Sequence, residues 1–368
     1  MSSSLQIALV AVAAGVSCAL VGVFLVLRRM AMMADAISHA ILPGLVAGYV
    51  LARGPNIFVG FLGATAAGLL TVALVEALTK SKRVKQDAAI GLVFPALFAL
   101  GVLVVSKYFA NVHIDTDAVL YGEIAFAPFD TLIVGGRDLG PQSLWVLSGL
   151  AIVNAGFLTL LYKELKLSTF DAGLASALGF LPGVLHYLLM SLVAVTTVGA
   201  FSAVGAILSV ALIIVPPVTA SLLTKRLPLL LGLSVAIGAG SSLIGYLLAV
   251  YWNVSISGMI ATSLGGVFLI TLLISPSQGL VAQTLKRRMQ KTQFATEMLV
   301  VHLSVHENTP EEAQESTLLH LEQELGWPID RAAWIVAKAQ QGGLVLYEDG
   351  VLTLTPTGKA LALAVGFR

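Results

Sequence analysis

Charge and cysteine are what this sequence of 368 residues has least of. Only 11% of its residues are charged, while 57% are hydrophobic and the mean hydropathy is +0.93. A soluble domain carries roughly 25% charged residues. So much apolar surface cannot be hidden in one core of ordinary size, and most of the chain belongs in lipid. The single cysteine, Cys18, excludes a disulfide framework and a thiolate cluster, and reads as a small apolar filler in the first span. A phosphate-binding loop of the form G-x-x-x-x-G-K-[ST] is also missing. Thr357-Gly358-Lys359-Ala360 lacks both the upstream glycine and the hydroxyl after lysine. Any ATP that drives this protein is therefore hydrolysed on another chain. No basic segment with a small-residue cleavage site precedes the first apolar run, which reads as a retained span.

What is present is a series of apolar runs, each near the roughly 20 residues that cross a bilayer as a helix. They cover 5–27, 36–52, 56–79, 86–106, 142–162, 184–201, 203–223, 228–251 and 256–275. This predicts nine spans, or eight if Val184 to Leu223 is one span with a re-entrant piece. Basic clusters flank alternate ends, at Arg28-Arg29, Lys80 to Lys85, Lys163 to Lys166, Lys225-Arg226 and Lys286 to Arg288. The excess of Lys and Arg marks the cytoplasmic side, which places the N-terminus outside and the C-terminus inside. The loop from Lys107 to Gly140 then lies outside.

Composition changes sharply near residue 289. Residues 1–289 carry 16 Lys and Arg against 10 Asp and Glu, and residues 290–368 carry 5 against 10. The expected domains are a transmembrane part, 1–289, and a soluble part, 290–368. Helices are predicted over 292–305, 310–325 and 328–341, the second with Thr309 as N-cap and Pro310 in its first turn. Leu344 to Tyr347 and Val351 to Leu354 flank Glu348-Asp349-Gly350 as a hairpin, and Thr355-Pro356 starts a last helix. That order outlines a winged helix. The fold class expected is thus an all-α polytopic membrane protein followed by a small α+β winged-helix-like cytoplasmic domain.

An ionisable residue within a span is costly and is a functional candidate by default. Asp35 and His39 stand four apart at the mouth of the second span, so their side chains lie one turn apart on one face. A carboxylate oxygen and an imidazole nitrogen so placed suit one manganese, zinc or ferrous ion. Two ligands are not a complete site, and a structural reading is open at this point, with Asp35 capping the helix and His39 satisfied by a neighbour. Ala36, Ala40, Gly44 and Gly48 form a small-residue stripe on the same helix, which predicts close helix packing. His113, Asp115, Asp117 and Glu123 form a second polar cluster in the outer loop, either an acidic vestibule that gathers cations, with His113 and Glu123 as ligands, or a solvated loop. Glu76 reads as structural, snorkelling towards Lys80. His302, His306 and His320 lie in the soluble part, the first two four apart on a predicted helix, and read as surface or core histidines.

The segment from Arg28 to Gly44, Arg-Arg-Met-Ala-Met-Met-Ala-Asp-Ala-Ile-Ser-His-Ala-Ile-Leu-Pro-Gly, resembles the signature of the permease subunits of bacterial ABC importers for manganese, zinc and iron. Three further segments match in order: Lys85 to Gly91, Phe170-Asp171 with Ala177-Leu178-Gly179, and Val204 to Leu208 running to Ile214-Val215-Pro216-Pro217. The resemblance covers roughly residues 5 to 280. It implies a metal role for Asp35 and His39 in the translocation path. It also implies that Phe170, Asp171, Ala175 and Gly179 belong to a coupling helix set in a groove of the ATPase. The implied partners are two ATP-binding cassette subunits, a second permease copy or paralogue, and an external metal-binding protein, in the bacterial cytoplasmic membrane. No permanently bound cofactor is expected, only the transported manganese, zinc or iron, with manganese favoured and ATP on the partner subunit.

The extension after residue 289 resembles the winged-helix domain of iron- or manganese-dependent repressors, through Gly342-Gly343-Leu344 and Leu352 to Leu361. DNA binding needs a basic face, and this part is acidic, with Arg331 and Lys338 against Asp330 on its third helix. A cytoplasmic interaction or regulatory module is expected instead. Two other classes stay open from sequence, a membrane-tethered metal-responsive regulator and a proton-coupled metal transporter with Asp35 as relay.

Overall fold

The computed structural model describes residues 2–54, 56–108, 124–275, 279–307, 309 and 312–366. The chain forms two compact units, Met1–Gly279 and Leu280–Arg368. The first holds α1 (Ser3–Leu27), α2 (Met32–Ala52), α3 (Ile57–Lys80) and α4 (Gln86–Tyr108), then, after a 3-10 turn at Ile124–Phe129 and a short hairpin, α5 (Gln142–Leu160), α6 (Tyr162–Phe170), α7 (Ala172–Ala177), α8 (Pro182–Val204), α9 (Ala206–Leu223), α10 (Leu227–Trp252) and α11 (Ile256–Ile274). Among the described residues nine helices are long and apolar enough to cross a membrane. Helices suit lipid because every backbone polar group is satisfied within the segment.

The run from Val184 to Leu223 is two helices rather than one, because Gly205 adopts φ +82 between α8 and α9. That value is open to glycine and strained for other residues. The hairpin, β1 (Thr131–Val134) and β2 (Arg137–Pro141), falls where only a loop was expected. Its turn residues Gly135 and Gly136 both have positive φ, and such a pair suits a tight hairpin turn.

α1 is the centre of this unit, packed on α5, α8, α9 and α10. Small residues permit this. A Cβ added at Gly22 would lie 1.9 Å from the Ile213 carbonyl oxygen of α9, and one at Gly15 would lie 2.6 Å from that of Gly238 in α10. Asn154 of α5 is fully buried and donates to the Ser17 carbonyl of α1 at 3.0 Å and to Thr196 of α8 at 3.1 Å. Asn154→Leu should therefore cost about 0.6–1.7 kcal/mol, the range of hydrogen bonds between membrane helices. Thermal unfolding in detergent checks this, with Gly149→Ala, at a position with open space around it, as the control.

The second unit begins at Leu280, ahead of the change in composition, because α12 (Leu280–His306) runs through it unbroken. It continues with α13 (Glu312–Glu315), α14 (Leu318–Leu325), α15 (Ile329–Gln341), the hairpin β3 (Val345–Glu348) and β4 (Val351–Leu354), and α16 (Pro356–Gly366). Leu299, Leu303, Leu321, Trp327, Ile335 and Leu352 close its apolar core. The single helix expected over 310–325 is broken at Ser316 and Thr317. Thr317 is extended and caps α14 by accepting from His320 N, while the Ser316 carbonyl is taken by Leu352 N of β4. Hydroxyl side chains offer the backbone such alternatives to a helix. The Thr309 hydroxyl donates back to the His306 carbonyl at 2.7 Å.

Candidate functional site

The second membrane helix starts at Met32, four residues before the apolar run itself, so Asp35 lies one turn inside it. The N-cap position is Ala31, with no side-chain cap hydrogen bond. Asp35 is therefore not the cap that the structural reading required. Its Oδ1 lies 3.5 Å from His39 Nε2, and the side chains of Asp35 and His39 keep 31% and 38% of their surface exposed. A carboxylate and an imidazole nitrogen thus converge on one accessible point.

Neighbouring helices fix this point from two sides. The small-residue stripe of α2 packs on α3, where a Cβ at Gly44 would lie 2.2 Å from the Gly63 carbonyl oxygen and one at Gly48 would lie 2.8 Å from that of Val59. The adjoining face, with His39 and Pro43, packs on α4. His39 stacks on Phe94 at 5.5 Å between ring centroids and meets Phe98 edge-on at 6.3 Å, while Gly101 leaves room for Pro43. The two phenylalanines were not singled out from sequence, although their spacing of four on α4 matches that of Asp35 and His39. The outer-loop candidates His113, Asp115, Asp117 and Glu123 lie outside the described residues.

Arg28 is a second element missed from sequence. Its guanidinium donates to Thr169 Oγ1 at 3.1 Å and to Ser168 Oγ at 3.0 Å, and its Nη1 sits 3.2 Å from His186 Nδ1. It therefore ties the end of α1 to α6 and α8, which bracket α7. Burial pulls this guanidinium below its ordinary pKa, a cost that hydrogen bonds to the charged form offset. Glu76 pairs with Lys80 at 2.9 Å, as its position suggested, and Tyr187 of α8 adds a hydrogen bond to the same carboxylate. Beside them lies a cavity of about 430 Å³ lined in part by Met30, Met33, Gln86 and His186.

The segment after Arg28's partners is a short helix. Asp171 is its N-cap, accepting from Leu174 N at 2.9 Å, Ala175 is buried, and Gly179 ends it at φ +85. Phe170, Leu174, Leu178 and Leu181 are exposed around it. Four exposed apolar side chains within twelve residues of a segment between spans make it a candidate contact surface.

Residues 1–275 match the model of the ABC 3 transport family. The chain is 46% identical over 365 residues to the zinc transport system membrane protein TroD of Treponema pallidum, covering 98% of both chains. It is 47% identical over 278 residues to the manganese transport system membrane protein MntD of Bacillus subtilis, covering 75% of this chain and 94% of the relative. Among solved structures it is similar to PsaBC from Streptococcus pneumoniae in complex with Fab, with a TM-score of 0.63 and 29% identity over 76% of this chain and 94% of that one.

Proposed function

The chain belongs to the ABC 3 transport family and is the permease subunit of an ABC importer of metal ions, and we propose that Asp35 and His39 hold the ion in transit. The observation that carries this is the 3.5 Å approach of carboxylate and imidazole on a partly exposed face of α2. An ionisable pair within a membrane-spanning helix is expensive against lipid and belongs against protein or a water-filled path. A second permease copy or paralogue closing over α2 and α4 supplies that path. The pair offers one oxygen and one nitrogen, which manganese, zinc and ferrous iron all accept. Manganese is favoured by the extension's resemblance to iron- or manganese-dependent repressors, and competition between the three metals for uptake is the measurement that orders them.

Energy enters from two ATP-binding cassette subunits, through the exposed apolar patch around α7. In this reading the basic clusters lie in the cytoplasm, the second unit is a winged-helix-like regulatory module in the same compartment, and a binding protein delivers the ion from outside. Arg28 links the helix that leads into α2 with the segment that bears α7, so it transmits movement between them. Arg28→Met should remove hydrogen bonds of the charged kind, about 1.5–3 kcal/mol each. It should lower uptake well below that of Arg29→Met, a change at an exposed neighbour. Co-purification of the ATPase with both variants separates a transmission defect from failed assembly.

The reading as a whole is tested by uptake of radioactive manganese into vesicles that contain the reconstituted complex. Uptake should stop without ATP and persist with a proton uncoupler. Uptake that ignores ATP and collapses with the proton gradient would replace the importer by a proton-coupled carrier.

A further inference from the structure

The second unit brings together three imidazoles that neither sequence spacing nor transport explains. His302 and His306 lie one turn apart on α12, and His320 comes from α14, beyond the Ser316 break. The ring centroids are 4.6 Å apart for His302 and His306, 5.5 Å for His302 and His320, and 6.0 Å for His306 and His320. One ligand atom from each ring lies within 4.8 Å of the others. We propose that His302, His306 and His320 form a divalent transition-metal site, distinct from the transport pair, with zinc(II) as its preferred ion.

The lone pairs point to this. His302 Nε2 and His320 Nε2 are buried and have no hydrogen-bond partner among the described residues. Buried polar atoms are nearly always partnered, and an exception calls for an explanation such as an ion. His306 uses Nδ1 in an ion pair with the Glu315 carboxylate, which leaves its Nε2 available. The backbone of Glu315 also hydrogen-bonds the His302 ring. Metal-bound histidines typically have the second ring nitrogen held by a carboxylate or a backbone carbonyl, which sets the ring's orientation and raises its basicity as a ligand. Here Glu315 supplies both kinds of support from one residue.

Three imidazole nitrogens with one position left for water or a carboxylate is a donor set that zinc(II) takes readily. Zinc–nitrogen bonds of about 2.1 Å bring tetrahedral ligands to about 3.4 Å from one another. Small ring rotations close the site from its present spacing. His306 keeps 25% of its side chain exposed, which leaves the ion a way in. A bound ion would pin α14 onto α12 and stabilise the second unit by mass action, growing with the logarithm of free metal above its Kd. Such a device lets the extension respond to zinc independently of transport.

The test uses the purified full-length chain in detergent, with Asp35→Ala and His39→Ala introduced so that the transport pair cannot take the ion. Titration with zinc against a chromophoric chelator should show one ion per chain, and cobalt(II) should give the intense visible bands of a four-coordinate site. His302→Asn with His320→Asn should weaken zinc by at least about a hundredfold, and Glu315→Gln by about 10–100-fold, the usual cost of losing an outer-shell partner. Zinc should raise the unfolding temperature of the parent chain and not of the double variant. If that variant fails to fold, His306→Asn at the partly exposed position takes its place. Equal zinc affinity with and without the histidines, or no zinc retained by the parent chain, overturns the site. Because the transport pair is already absent, neither result bears on the assignment of Asp35 and His39.

Discussion

Cells whose permease carries Asp35→Ala and His39→Ala together should lose manganese uptake by well over tenfold while the complex still assembles. Loss of an outer-shell partner alone commonly costs a metal site about 10–100-fold, and these changes remove both proposed ligands. Asp35 supplies the negative charge, so Asp35→Asn should come close to the alanine variant, although its size and hydrogen bonding are retained. His39→Gln keeps a polar side chain beside Phe94 and should leave more activity. The structural reading makes the opposite forecast. Alanine at a half-exposed position that neither caps the helix nor fills the core should change stability by less than about 0.5 kcal/mol and leave transport intact. A double variant that transports at the parental rate, from a membrane fraction with parental amounts of protein, would end the assignment.

The largest effect on stability is expected at Gly22. Alanine is a better helix former than glycine by about 1 kcal/mol, so propensity alone predicts that Gly22→Ala stabilises α1. The tertiary contact reverses the sign. The new Cβ would stand 1.9 Å from the Ile213 carbonyl oxygen and 2.9 Å from its carbon. These atoms are backbone in the middle of α9, where no side chain can swing away. α1 would have to withdraw from α9 by more than an ångström, losing contacts along the centre of the unit. Overpacking of cores costs about 1–3 kcal/mol when side chains can adjust, and this variant should meet or exceed the upper end. The readouts are the unfolding temperature in detergent and the yield of monodisperse protein. Gly149→Ala and Gly232→Ala, with open space at both positions, should match or exceed the parent. A Gly22→Ala protein as stable as they are would show that the helices are less closely apposed than this.

Asp35 and His39 were legible as a pair because spacing along a helix is a local property. Their surroundings were not. Phe94 and Phe98 belong to a different helix, and only the packing of α2 on α4 brings their rings to the histidine. Arg28 read as one of several basic residues at a membrane boundary, since its partners Ser168, Thr169 and His186 lie about 140 to 158 positions away. The helix over 310–325 was overextended because a cap signal at Thr309 outweighed Ser316 and Thr317. Hydrophobic periodicity could not register that a strand 36 residues later takes the Ser316 carbonyl.

Sequence alone determined that this is a membrane protein of many helices with a small polar extension, because hydropathy and turn chemistry are summed over neighbouring residues. It also determined where a carboxylate and an imidazole share one helical face. Only tertiary structure decided which glycines are irreplaceable and which polar residues meet across helices. The same holds for His320, which reaches His302 and His306 only when α14 folds back on α12. Close approach is set by how whole helices pack, and the burial that favours such packing carries no address along the chain.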